Sequence, residues 1–318
     1  MSIFSPNITN ILLAIAAMAL LVLVFLCIMT SRHANRLISS SQVKRQQHYV
    51  THPELHPEFI AEQQQLETTP LSLTTSDGLH LYALYKASHN GAVIILSHGY
   101  KMDCGEMIPI AALLAKHGYG VLLLDQRGHG HSDGELISFG YHEWRDLEAA
   151  MDFLHQQIDD PIVGLFGNSM GGALALCYAA RDQRIAAVVA QSPYASIAHS
   201  INKGVRRFSD LPPFPFAPLI HHFAQRKLGF NTASVAPINT IVTISPRPIM
   251  LMMGGQDRHV EPDGAFQLRQ AAGNNAQLWY EPHLSHVEFF QKLPLAFEQK
   301  IISFYNEHLL NFSQTKQL

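Results

Sequence analysis

Three widely separated residues have the chemistry of a nucleophile and its activators: Ser169, Asp257 and His286. Ser169 is the centre of Gly167-Asn168-Ser169-Met170-Gly171, between an apolar run at 161–166 and an alanine-rich stretch at 173–180. A serine on a strand-to-helix turn has its hydroxyl pushed out of the sheet, where it can attack. Such a turn is so tight that side chains two before and two after the serine would clash, which explains glycine at both places. The helix that begins there points unpartnered N–H groups and the positive end of its dipole toward any oxyanion formed on the serine's target.

A serine nucleophile needs a base to take its proton and an acid to orient that base. The run 249–253 leads into Gly254-Gly255-Gln256-Asp257, so Asp257 is a carboxylate just past a strand end. The next strand ends near Tyr280 and leads into Glu281-Pro282-His283-Leu284-Ser285-His286. In a parallel sheet, loops after the strand ends are where distant residues converge. His286 is thus the expected base, with His283 as its rival; Asp133, Asp263 and Glu281 are rival acids.

The elements that must position these residues alternate in type. Residues 71–75 and 79–85 flank Ser76-Asp77-Gly78, a hairpin signature. The run 92–96 is continuously apolar, as a strand covered on both faces must be. Helix is expected at 106–117, 141–158, 170–180, 262–272 and 287–309, and strand at 121–124, 162–166, 185–190, 248–253 and 277–280. That alternation implies a mostly parallel sheet flanked by helices, an α/β fold. It breaks between Ser196 and Pro237, where Leu211-Pro-Pro-Phe-Pro-Phe-Ala-Pro218 excludes sheet. A small cap inserted at about 196–237 is expected there, with Phe208, Phe214 and Phe216 as candidates for an apolar acyl pocket.

The chain has 318 residues, 47% of them hydrophobic, and a net charge of −3, which suits one large domain and gives nucleic acid no basic surface. Its three cysteines and nineteen histidines form no disulfide or zinc spacing, so no metal site is expected, and a serine working through an acyl-enzyme is expected to need no cofactor. Residues 11–29 are uninterruptedly apolar, ~28 Å as a helix against a hydrocarbon core of ~30 Å. A cleaved signal peptide is the rival, but a basic n-region and a small-x-small cleavage site are missing. Arg32, Arg36, Lys44 and Arg45 follow the apolar run, which places the rest of the chain in the cytoplasm by the positive-inside rule. The expected organisation is an anchor at 1–30, a polar linker at 31–69 and a catalytic domain at 70–318.

Four segments, in order, make the chain resemble the serine α/β-hydrolases, and within them the membrane-anchored Bem46-like hydrolases. They are Ser97-His98-Gly99-Tyr100, the glycine-rich turn from Asp125 to Gly134, the Ser169 elbow, and Ser245-Pro-Arg-Pro-Ile249 leading to Asp257. The resemblance covers about 71–310, and the order Ser, Asp, His is the family's own. It implies an α/β-hydrolase fold, attack by Ser169, His286 as base and then acid, and Asp257 as orienting carboxylate. It also implies an oxyanion hole made by the backbone N–H groups of Tyr100 and Met170. His98 would then brace the loop, and Asp125 and Arg127 the glycine-rich turn. Ser285 departs from the glycine that many relatives carry before the base. The implied substrate is a carboxylic ester or thioester of a small molecule or lipid; lipid deacylation, acyl transfer and a catalytically idle binding module are the alternatives.

Overall fold

In the computed structural model the described residues are 6–40, 66–201 and 212–310. They fall into two compact units, one comprising Met1–Ile38 with Ile201–Phe230, the other Ser39–Ser200 with Asn231–Leu318.

The larger unit is built on one eight-stranded sheet in the order β1-β2-β4-β3-β5-β6-β7-β8. The strands are β1 (Thr69–Thr74), β2 (His80–Lys86), β3 (Ala92–Ser97), β4 (Gly120–Leu124), β5 (Ile162–Asn168), β6 (Ile185–Gln191), β7 (Ile249–Gly254) and β8 (Ala276–Glu281). The first two form the expected hairpin, with Thr74 opposite His80, and β2 runs antiparallel to β4; the pairings from β4 through β8 are parallel. Every residue of β3 is buried, as its apolar run requires. Ile94 and Leu96 face one core with α2 (Ile108–Lys116) and the late helix α9 (Pro294–Tyr305); Val93 and Ile95 face the other, with α3 (Trp144–Gln157), α4 (Met170–Arg181) and α7 (Pro262–Ala272). The alternation follows from the two-residue period of a strand.

Three expected helices have other bounds. The stretch at 106–117 begins as a 3-10 turn, Cys104–Met107, capped by the Asp103 side chain, before α2 proper. Residues 141–143 precede α3 as turn. The single helix expected at 287–309 is instead α8 (Phe289–Lys292), α9 and a wide terminal turn at Asn306–Leu310. Pro294 has no N–H to continue the hydrogen-bond ladder, so it starts a new helix rather than extending the old one.

The smaller unit holds α1 (Pro6–Ile38) and α5 (Pro213–Leu228). α1 runs eight residues past the expected end of the anchor at 30, and it is long and apolar enough to cross a membrane. Thr30, Ala34 and Ile38 are buried on α1, and Ala217, Ile220 and Ala224 on α5, spacings that put each set on one helical face. The two helices pack on one another, and Lys227 donates to the Asn35 side chain. The proline cluster expected to exclude sheet lies at the start of this helix, which is kinked at the non-helical Phe214 (φ −102°, ψ 133°) with Pro218 inside it; Pro213 falls in the first turn, where the N–H groups have no partner to lose. The short α6 (Pro237–Thr240) belongs to the larger unit. Most of the expected linker, 41–65, lies outside the described residues.

Candidate active site

Ser169 is the last residue before α4 and the first after β5, with φ 52° and ψ −112°. A non-glycine residue in that region carries about 1–3 kcal/mol of strain, which persists only where the surroundings over-determine it. The surroundings are close. A Cβ on Gly171 would lie 2.1 Å from the Ser97 carbonyl oxygen, and one on Gly167 2.2 Å from that of Gly171. The Ser169 N–H donates to the Gln191 carbonyl at 2.8 Å and its own carbonyl accepts from Ala173, so the turn is tied to β6 and to α4. Ser169 is partly exposed, and Met170, Gly171 and Gly172 open the helix behind it.

The loops after β7 and β8 are laid on one another by backbone bonds. Gly255 N–H donates to Glu281 at 2.8 Å and Gln256 N–H to Leu284 at 2.9 Å. That stacking brings His286 Nδ1 to 2.6 Å from Asp257 Oδ2. The other Asp257 oxygen accepts the N–H groups of His259 and Val260 at 2.8 and 2.9 Å. Burial alone would raise the Asp257 carboxyl, but the His286 bond and charge, with those two N–H groups, outweigh it and hold the group below the usual carboxylate range. An ionised, buried carboxylate on Nδ1 fixes the imidazole with its proton on that nitrogen and leaves Nε2 as the basic atom.

The rivals are placed elsewhere. His283 is exposed, Asp133 accepts from the His80 N–H, Glu281 from the Trp279 indole, and Asp263 lies in the first turn of α7. His259, two after Asp257, stacks its ring 4.8 Å from that of His286. Asp257, His259 and His286 are also the metal-ligand types that converge here, within 4.8 Å, and two of the three are already committed to each other.

The loop Ser97-His98-Gly99-Tyr100 follows β3 beside the elbow. His98 is fully buried, accepts the Gln126 N–H on Nε2 at 3.0 Å and donates from Nδ1 to the Gly99 carbonyl at 2.8 Å. Burial lowers its pKa, so it stands as a neutral brace. Asp125 ties the glycine-rich turn to the Cys104 and His131 N–H groups, and Arg127 bridges Asp77 and Asp146. The Cys104 thiol is buried, and burial pushes its pKa up.

Sequence reasoning overlooked Glu106. Its carboxylate accepts the Gly99 N–H at 2.7 Å and lies 3.4 Å from the Asn168 amide nitrogen. Nothing in the local pattern marks it, because the contact depends on the 3-10 turn folding back under the Gly99 loop. Of the candidate pocket residues, Phe214 is 80% exposed and Phe216 half-buried, both on α5, while Phe208 lies outside the described residues. A cavity of 640 Å³ opens at the other end of the sheet, among Pro161, Ile185, Pro248 and Asn275. None of Ser169, Asp257 and His286 lines it, and in parallel sheets the converging loops are those after the strands.

Residues 88–236 match the family described as serine aminopeptidase, S33. The chain has the α/β-hydrolase fold. The chain is 25% identical over 234 residues to the monoglyceride lipase of Rattus norvegicus, covering 63% of this chain and 77% of that protein. It is 35% identical over 141 residues to the polyketide transferase grgF of Penicillium, a match spanning 40% of this chain and 46% of that one. The Pyrococcus furiosus esterase Pf2001 superposes with a TM-score of 0.66 at 23% identity, over 77% of this chain and 95% of its own. These comparisons go no finer than the α/β hydrolases; the Bem46-like subgroup is not distinguished by them.

Proposed function

We propose that this chain is a membrane-tethered serine hydrolase that cleaves carboxylic esters or thioesters through an acyl-enzyme. His286 Nε2 takes the Ser169 proton as Oγ attacks the acyl carbonyl, and then gives that proton to the leaving alcohol or thiol. Water repeats the cycle on the acyl-serine, returning the proton by way of His286. Asp257 keeps the imidazole in the required tautomer and stabilises the imidazolium. The N–H groups of Met170 and Tyr100 hold the oxyanion. The observation that carries this reading is the 2.6 Å bond between His286 and a buried Asp257 carboxylate, made by loops at the same sheet end as a serine at φ 52°.

The tether rests on α1. Its exposed apolar residues run from Ile8 to Ile28, and the buried Thr30 and Ala34 follow directly. A leader removed after export has no reason to share a packed seam with a helix that starts 175 residues after its own end (213 against 38), so the packing on α5 favours a retained anchor. Arg32 and Arg36 on the same helix favour a cytoplasmic domain. The named relatives include a monoglyceride lipase and an esterase, which supports an ester substrate, and an anchored enzyme meets lipid esters first. Acyl transfer in place of hydrolysis is the second reading, favoured by the transferase relative.

The test is a series of p-nitrophenyl esters and acyl thioesters of increasing chain length, with an aminoacyl p-nitroanilide as comparison, run in bilayers and in detergent. Ester or thioester turnover that vanishes in Ser169→Ala is expected. Turnover confined to the anilide would overturn the ester reading, and an optimum at short chains would remove the lipid one. Protease added to the cytoplasmic face should digest the domain; protection there reverses the orientation.

A further inference from the structure

We propose that Glu106 is a positioning residue of the hydrolytic site, holding the oxyanion loop through the Gly99 N–H and lending its charge to the imidazolium formed on His286. The proposal rests on the assignment of Ser169 and His286 made above.

The geometry starts at Gly99. A Cβ built there would lie 3.6 Å from the Ser169 Cβ and 3.5 and 3.7 Å from the two Glu106 carboxylate oxygens. Glu106 therefore shares a wall of the site with the nucleophile, separated from it by a residue that has no side chain. Its Oε2 accepts the Gly99 N–H at 2.7 Å, a length suited to a charge-assisted bond. That bond fixes the peptide next to Tyr100, whose N–H is assigned to the oxyanion. The other oxygen, Oε1, faces the Asn168 amide nitrogen at 3.4 Å, and Asn168 is the residue before Ser169. One carboxylate thus ties the loop after β3 to the elbow after β5. The two must keep their spacing for the hydroxyl and the oxyanion donors to act on one carbonyl.

The charge has a second consequence. His286 and Asp103 are the charged and titratable groups that act on Glu106: an imidazolium on His286 favours its ionised form, and Asp103 opposes it. Burial is the largest influence; together with Asp103 it outweighs the Gly99 and Asn168 bonds and the His286 charge, and raises the carboxyl above its ordinary value. Attraction is mutual, so an ionised Glu106 favours the imidazolium that His286 becomes when it takes the Ser169 proton. Asp257 alone was expected to do this from the sequence. The site instead has two carboxylates acting on one ring, one bonded to it directly and one at the floor of the oxyanion loop.

Protonation of Glu106 need not undo the loop. The Asn168 Oδ1 has no hydrogen-bond partner among the described residues, so a turned amide can accept from a protonated Oε1 while Oε2 keeps the Gly99 N–H. Geometry and charge are thereby separable by substitution. Glu106→Gln keeps an acceptor for Gly99 and a donor for Asn168 but removes the charge. Glu106→Asp keeps the charge but withdraws it from Gly99. Glu106→Ala removes both.

The experiment is the pH dependence of kcat and KM for the full chain in detergent on p-nitrophenyl butyrate, with Ser169→Ala alongside. In Glu106→Gln the acid limb of kcat/KM is expected to move to lower pH by roughly half a unit or more, since the charge that favoured the imidazolium is gone. Glu106→Asp should keep the wild-type limb with a lower kcat. Glu106→Ala should lose roughly tenfold to a hundredfold in kcat with little change in KM, as a displaced oxyanion loop predicts. A limb that coincides with wild type in Glu106→Gln, or full kcat in Glu106→Ala, overturns the proposal. An inactive Ser169→Ala with an unmoved Glu106→Gln limb sinks only the role of Glu106. Full turnover in Ser169→Ala sinks the serine assignment as well.

Discussion

At the scale of single residues, the arrangement makes unequal demands on two histidines three positions apart. His286 is bonded to the buried Asp257, whereas His283 is exposed. His286→Ala is expected to abolish ester turnover and His283→Ala to leave it within about twofold, read as kcat/KM. Asp257→Asn should lower kcat by roughly a thousandfold to ten-thousandfold, because an amide oriented by the His259 and Val260 N–H groups turns the imidazole to the wrong tautomer. A loss of less than tenfold would mean that another carboxylate orients the base. Ser169, Asp257 and His286 could be picked out of the sequence because each follows a legible apolar strand, and strand ends gather in space. Glu106 could not, since it lies on no strand end and its partners, Gly99 and Asn168, are seven and sixty-two residues away.

At the scale of elements, the strand-to-helix turn is the least forgiving place in the chain. Gly171 faces the Ser97 and His98 carbonyls at 2.1 and 2.6 Å from where a Cβ would be, and backbone cannot retreat as a flexible side chain can. Gly171→Ala should therefore cost about 3 kcal/mol, seen as a lower urea midpoint, and should lower kcat further by moving β3 from β5. An unchanged midpoint would show that the approach of α4 to β3 is looser than described. Strands were legible nearly to the residue because their apolar runs are bounded by turn residues. Helix bounds were not: one apolar period runs from 287 to 309, yet Pro294 cuts it. The stretch around 212–218 shows the converse, since prolines that exclude sheet are accommodated at a helix start, and only packing on α1 reveals which face of α5 is buried.

At the scale of the whole molecule, an ion pair ties together three distant parts of the larger unit. Arg127, after β4, donates from Nε to Asp146 of α3 at 2.8 Å and from its terminal nitrogens to Asp77 of the hairpin turn at 2.8 and 3.0 Å. Burial pushes the Asp146 carboxyl up to about 7, against the pull of Arg127. Removing the guanidinium leaves that carboxylate buried without its cation, so Arg127→Ala should cost about 3–5 kcal/mol in urea unfolding. Asp146 is raised above its unfolded value, so its ionised form is the one burial penalises. The deficit should accordingly be largest above pH 7 and shrink as pH falls and the group takes up a proton. A deficit independent of pH would assign the loss to packing. The α/β architecture and the apolar N-terminal helix were both readable from composition and period. The association of α1 with α5 was not, because sequence does not say which inserted helix a membrane segment will meet.

The central claim is that one strained serine carries covalent chemistry. It is tested most directly by treating the full chain with a fluorophosphonate and locating the adduct by mass spectrometry. A single phosphonyl group on Ser169, absent from Ser169→Ala and from protein inactivated by mutation of His286, is the expected result. Modification at another residue, or ester turnover that continues in protein left unlabelled at Ser169, would contradict it.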